Sequence, residues 1–365
     1  MNAVQPEAVK FQLEDSWEII NEWFLERDMT DGLPIVPPTE PRVRAMTDYA
    51  EQALGWSTND VVATLAPKCG LASVERIAAN AVMAGCRPEY MPVLIACTQA
   101  VAHPKFNLDA VQTSTHNTSA LPIVNGPIRK AIDLNWGYNY TGSRWHSTVT
   151  IGRALRLIMS NIGGTPGSVN IHTQGHIGRF EHCIAENEEG NPWESLHVER
   201  GYASEVSTVT MIPACPAAMI DDNGGSQTAK DLLITFAHSV AYVGNRNTNG
   251  AGQPVLILGP QHARLMANGG YSKADVKRFI WERGRVPFGD FPRGNLTNFS
   301  EDNLKFYADI DPNYGVPIAA KPEDIVIAVM GGTGTHSLSV QTQLACQTVT
   351  VPISRKDGSP WLIQT

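Results

Sequence analysis

The spacing of apolar positions divides the chain into stretches of different period. Over residues 16–28, SWEIINEWFLERD, Trp17, Ile20, Trp23 and Phe24 recur at helical spacing, and Ser16 stands where an N-cap belongs. Residues 31–43 break that rhythm. Pro34, Pro37, Pro38 and Pro41 forbid both a helix and an internal strand, so an extended arm is expected, with Leu33, Ile35 and Val36 laid on the body or on a neighbouring subunit. Helix resumes over 42–54. Val74, Ile77, Ala78, Ala81 and Val82 then form one helical face, with Ser73 as cap, Glu75 suiting the dipole and Gly85 as stop. Pro88 fits the first turn of a second helix running through 90–102, which makes a helical hairpin with Cys86 and Arg87 in its turn. A further helix covers 147–161, with Ile151, Leu155 and Ile158 on one side and Gly163-Gly164 as its end.

Downstream the pattern changes. Residues 167–213 are rich in Gly, His and Glu, alternate only over 207–212, and read as short strands and functional loops; helix returns over 231–243. Residues 255–258 are a short apolar run followed by Gly259-Pro260 and a helix, and Ser272 with Asp275 gives a capping-box start to a helix over 274–283. Residues 324–330 read as a buried strand, followed at once by Gly331-Gly332-Thr333-Gly334-Thr335-His336; a helix over 337–345 and a strand over 348–353 then complete a βαβ unit. The expected class is therefore α/β, with an α+β N-terminal part carrying the helical hairpin and C-terminal βαβ-type units on a parallel sheet. The segments drawn are 1–60 (helix and proline-rich arm), 61–250 (α+β main domain) and 251–365 (α/β domain with the glycine-rich loop). No tandem repeat is visible.

Composition narrows the partners. A length of 365 residues favours more than one packed unit, and a charged fraction of only 18% implies surface buried between domains or subunits, hence a homo-oligomer, dimer or higher. The net charge of -8, with Lys and Arg scattered, argues against nucleic acid as a main partner. Residues 1–15 hold Glu7, Glu14 and Asp15 and no apolar core, so they are no secretory signal, and the longest apolar stretches are too short for a bilayer; a cytoplasmic protein with no membrane partner is expected. Six cysteines are widely spaced with no CxxC pair and read as reduced thiols.

Candidate chemistry gathers at a few places. In the loop 331–336, backbone N–H groups freed by Gly331, Gly332 and Gly334, with Thr333, Thr335 and His336 beside them, can hold a carboxylate or phosphate; the plain alternative is a tight turn. The loop is neither a Walker loop nor a GxGxxG fingerprint, so no nucleotide cofactor is implied. His262, just past the strand at 255–258, reaches toward the same crevice. Cys86-Arg87-Pro88-Glu89 places a thiol beside a guanidinium and a helix start, which favours the thiolate, with Glu89 as acid or base. The segment 172–188 concentrates His172, His176, His182, Cys183, Glu186 and Glu188, types that ligate zinc, iron or manganese or move protons, although no known metal spacing occurs. Arg153 and Arg156 share a helix face and can grip an anion or form a salt bridge, to Glu186 or Asp222. Asn125, in the Asn-Gly-Pro turn, can polarise a substrate carbonyl; His116 and His146 lie in polar segments on either side, and Trp136, Tyr138 and Tyr140 offer an aromatic wall.

Six segments carry a resemblance: DGLPIVPPTEPRV (31–43), NAVMAGCRPEYMPV (80–93), IVNGPI (123–128), TIGRALRLIMSNIGG (150–164), CIAENEEGNPWE (183–194) and GPQHARLMANGGYSKADV (259–276). Together they resemble a bacterial family of about this length labelled thioredoxin- or thiol-disulfide-isomerase-like. Residues 324–345 also look like a domain bearing a Sec-Gly-Ser-Cys motif and, more distantly, like a selenoprotein subunit of amino-acid reductases. The resemblance implies a shared fold. Gly331 and Gly334 stand where that motif carries its redox pair, so the pair is absent here.

Four readings follow. The first is a lyase, hydratase or hydrolase acting on a small, polar, anionic substrate, with His336, His262 or Glu186 moving the proton and the glycine loop and an arginine holding the charge. The others are a metal-dependent enzyme at 172–188, a thiol oxidoreductase at Cys86, and a non-catalytic binding or assembly protein.

Overall fold

The computed structural model describes residues 8–142, 144–175, 182–250, 252–294 and 315–363. Helix α1 (Trp17–Glu26) starts where Ser16 Oγ accepts the Ile19 N–H, as its sequence predicts. The proline arm that follows is laid on the body: Ile35 is buried, its N–H donates to Asn21 Oδ1 at 2.6 Å, and Val36 N donates to Met83 O. Helix α2 (Glu40–Leu54) ends at Gly55, whose φ of 74° suits a left-handed C-terminal stop. A hairpin of β1 (Val61–Leu65) and β2 (Gly70–Ser73) leads into α3 (Val74–Met83), capped by Ser73, and a short 3-10 turn at Pro88–Tyr90 opens α4 (Met91–Ala102). Nearly every residue of α4 is buried, which fits its all-round apolar sequence.

The remaining elements build the sheet and its cover. They are α5 (Leu108–Thr113), β3 (Ser119–Asn125), α6 (Ile128–Ala131), α7 (His146–Asn161), β4 (Ile184–Ala185), α8 (Leu196–Glu199) and β5 (Thr208–Asp221), then α9 (Ala229–Val240), β6 (Val255–Leu258), α10 (Pro260–Asn268) and α11 (Lys273–Arg283). A two-residue pair, β7 (Arg285–Val286) with β8 (Val316–Pro317), precedes β9 (Val326–Val329), β10 (His336–Thr342) and β11 (Val349–Pro352). The main sheet runs β4-β3-β5-β10-β6-β9, with β11 also pairing β5. Its two halves share one plan. β3 is parallel to β4 and antiparallel to β5; β6 is parallel to β9 and antiparallel to β10; β5 and β10 join the halves antiparallel. Even single bonds recur: Glu186 N donates to Val124 O as Met330 N donates to Leu258 O.

The sheet curls until its outer strands approach, and Asn187 N, just past β4, donates to Val329 O at 2.7 Å. Alternation sends one side chain set inward. Ile123, Ile184, Ile212, Val340, Ile257 and Ala328, one from each of the six strands, share a single apolar cluster inside the curl. Outside, α3, α4 and α7 cover the first half and α9, α10 and α11 the second.

The α/β class holds, and two expectations are corrected. Residues 336–342 form β10, not a helix. Leu338 and Val340 point into the curl while Ser337 and Ser339 face the other way, a period of two, and β5 and β6 supply hydrogen-bonding edges on both sides. The parallel crossover of this half therefore joins β6 to β9 through α10 and α11. Second, β5 is far longer than the alternation at 207–212 suggests and passes through Pro213. The Pro213 carbonyl accepts from Gln343 N in the connection between β10 and β11, so its missing N–H falls at a break in the ladder. Because β10 and β11 pair with β5, the sheet runs straight across the boundary drawn at 250. Among the described residues no helix is long and apolar enough to cross a membrane.

Candidate functional site

Where β4 and β9 approach, the C-terminal ends of both parallel pairs come together, the position at which parallel strands usually present ligands. On the β4 side lies a sealed polar knot. Glu186 is fully buried, and its carboxylate accepts four N–H groups: Asn125 Nδ2 at 2.6 Å and Leu196 N at 2.7 Å on one oxygen, Asn191 Nδ2 at 3.0 Å and Val329 N at 3.3 Å on the other. Burial still pushes this carboxyl above the usual range, against those donors and Lys273. Glu188 accepts from Asn125 Nδ2 and from Gly126 N. Arg129, almost entirely buried, donates to Gly126 O and Glu186 O and pairs with Glu188 and Glu189. Partial burial of Glu189 works against its charge, but Arg129 and Lys130 more than offset it and hold its carboxyl down at about 2. His197 is buried beside them, its Nδ1 2.9 Å from Ser195 Oγ. Asn125 was expected to polarise a substrate carbonyl. Its Nδ2 is instead committed to two carboxylates, and Glu186 lacks the open face a proton carrier needs.

On the β9 side the glycine loop is open. Gly331 N donates to Trp136 O at 2.9 Å and its φ of 96° demands glycine; Asn187 Nδ2 donates to Gly331 O, so the two sides touch. Tyr138 lies across Gly332 so closely that a Cβ there would meet the ring at 2.1 Å, while Tyr140 packs beneath, inside the curl. Beyond this aromatic cover, among the described residues, the N–H groups of residues 332–335 make no hydrogen bond within the protein.

The far end of the loop is anchored by a buried chain. Ser337 Oγ accepts the Gly259 N–H and lies 2.8 Å from His262 Nδ1; His262 Nε2 lies 3.4 Å from Asp222 Oδ1. The tautomer that satisfies every group in this chain has Ser337 Oγ accepting from Gly259 and donating to Nδ1, with the ring proton on Nε2 facing Asp222. Burial lowers the His262 pKa despite Asp222. Burial would raise Asp222, but the Gly224 and Ser226 amides and His262 outweigh it and hold the carboxyl low. His336 is exposed, its Nδ1 3.6 Å from Asp221 Oδ1. Gly259 sits under the loop at the start of α10; a Cβ there would lie 2.3 Å from His336 O. The structure sets His262, buried behind Ser337, under the far end of the loop 331–336, together with Asp222, and places Asp221 and Asn187 beside the loop.

The other expected residues lie elsewhere. Cys86 is partly buried beside Thr150, and burial pushes its thiol up to about 12 against the Thr150 hydrogen bond and Arg153, a direction opposite to the expected thiolate. Glu89 faces a separate cleft beside Tyr49. Arg153 does form a salt bridge, but to Asp31 of the proline arm, with two bonds at 2.9 Å, which leaves it no anion to grip. His146 is the first residue of α7, with Nδ1 3.1 Å from the Tyr90 hydroxyl. His116 Nδ1 meets Ser114 Oγ at 3.0 Å, and His172 Nε2 meets Val111 O at 3.3 Å. His176 lies outside the described residues, and among the described residues, His172 and His182 included, no three His, Cys, Asp or Glu side chains are placed to hold a metal.

Arg129 and His197 escaped the sequence reading; the clue for Arg129 was its place four residues after Asn125, facing the run Glu186, Glu188, Glu189. No family model matches the chain, and no curated protein matches it.

Proposed function

We propose that the chain is an enzyme of lyase, hydratase or hydrolase type that takes a small anionic substrate on the loop 331–336. The observation that carries this reading is the run of N–H groups at 332–335 without a partner among the described residues, beside an exposed imidazole. Amides without a partner in the protein can hold an anionic oxygen by charge-assisted hydrogen bonds, and the N-terminal end of α10 under the loop adds partial positive charge. His336 exchanges the proton with the bound substrate, with the Asp221 carboxylate 3.6 Å from its Nδ1. The negative Asp221 at the rim favours a monoanion such as a carboxylate over a dianion. Ser337, His262 and Asp222 act through the loop, fixing its far end. Glu186 and its knot fix the near end through Asn187.

Amide NMR with acetate and with inorganic phosphate tests the binding half: residues 332–335 should shift, acetate at lower concentration, and unmoved loop amides would remove the site. For the chemical half, turnover found in a panel of small carboxylates should fall by about a hundredfold in His336→Ala, the usual worth of a general acid–base group. Undiminished turnover would show the chemistry to lie elsewhere.

A further inference from the structure

The cleft that holds Glu89 takes no part in the reading above. It is a cavity of about 370 Å³ between α2, the 3-10 turn at Pro88–Tyr90, the end of α6 and the C-terminal segment that follows β11. Ligand pockets begin at roughly 300 Å³, so it suits a compact molecule. Its walls combine Tyr49 and Gln52 from α2, Ile132, and the indole of Trp361, with Glu89 and Arg355 as the two charged groups. Among the described residues neither the Glu89 carboxylate nor the Arg355 guanidinium has a hydrogen bond or a salt bridge; both side chains are exposed, and Asp357, held low first by Ser359, also feels the Arg355 charge. Burial raises the Tyr49 phenol, with Glu89 adding to it, so that hydroxyl stays a donor beside the carboxylate.

A carboxylate and a guanidinium that are not bonded to each other, in one aromatic-walled cleft, are complementary to a ligand carrying both signs. We infer that this cleft binds a small zwitterion with a flat apolar body: its ammonium meets Glu89, its carboxylate meets Arg355, and its body stacks on Trp361. Such a ligand satisfies both charges at once, whereas a simple anion or cation leaves one of them facing an uncharged group. The segment that starts in this cleft at Ile132 runs on to Tyr138, which covers Gly332.

Calorimetric titration of the full chain distinguishes the outcomes, with phenylalanine as the zwitterion, phenylalaninamide as the cation and N-acetylphenylalanine as the anion. The zwitterion should bind about tenfold more tightly than either half-charged analogue, the worth of one charge-assisted hydrogen bond. Glu89→Gln should abolish its advantage over N-acetylphenylalanine, and Arg355→Gln its advantage over phenylalaninamide, while His336→Ala leaves the ranking intact. The two substitutions lie at the surface, and unchanged melting curves confirm that they fold. A flat ranking, a ranking untouched by both substitutions, or no binding by any of the three at about 10 mM would each overturn the assignment. A ranking lost in His336→Ala would move the ligand to the loop instead.

Discussion

Single residues show how burial decides chemistry here. Glu186 sits among four N–H donors, so Glu186→Gln turns a donor toward donors; a loss of about 1–3 kcal/mol of stability is expected in urea denaturation, with the fold retained. Equal stability would mean that the carboxylate does not tie the strands. Six imidazoles, His116, His146, His172, His182, His197 and His262, are lowered by burial from 6.5. Below about pH 6.5 the unfolded chain then binds more protons than the folded one. Their stabilisation is complete above that pH and is lost as pH falls toward the folded values. The melting temperature should therefore drop between about pH 7 and pH 5, and a flat profile in calorimetry would contradict it. Glu186 works in the opposite sense: its raised carboxyl contributes fully below 4.5 and loses that contribution as pH rises through its folded value. Residue types revealed where polar chemistry collects, but not which groups are sealed. Cys86 beside Arg87 reads as a reactive thiol because sequence proximity shows the neighbouring charge and not the protein packed around the sulfur.

Among the elements, the helices were legible because their caps and stops are local. Ser16, Ser73 and the Ser272–Asp275 capping box act within one turn of themselves. Strands depend on partners far away, and β10 shows the difference. Its alternation, Ser337, Leu338, Ser339, Val340, is short, and a strand followed by glycines invites a helix; only the waiting edges of β5 and β6 settle the matter. The turn before α10 offers a test of how tightly β10 and its loop sit on β6. Gly259→Ala would drive a Cβ to 2.3 Å from a backbone carbonyl, so a loss of about 1–3 kcal/mol is expected, together with weaker acetate shifts at 332–335. Gly289→Ala, which meets open space, serves as the control and should leave both readings unchanged. If the two substitutions behave alike, the close approach at Gly259 does not hold the loop.

At the scale of the whole molecule, the two halves of the sheet repeat one plan while their side chains differ. Asn125 ends β3 and Glu186 follows β4 in the first half, while Gly259 follows β6 and Met330 follows β9 in the second. A repeat written in backbone hydrogen bonds leaves little trace in residue identity, which is why no tandem signal was visible. The shared strands make the halves interdependent: β5 is flanked by β3 on one side and by β10 and β11 on the other. Calorimetry should accordingly give one cooperative unfolding transition whose van't Hoff and calorimetric enthalpies agree. Two resolved transitions would mean that the residues before and after 250 melt as separate bodies. The same interleaving has a consequence for biosynthesis. β5 leaves the ribosome long before β10 and β11, with Ala217, Ala218 and Met219 on a bare strand edge, and during that interval its most available partner is the same strand on a neighbouring nascent chain.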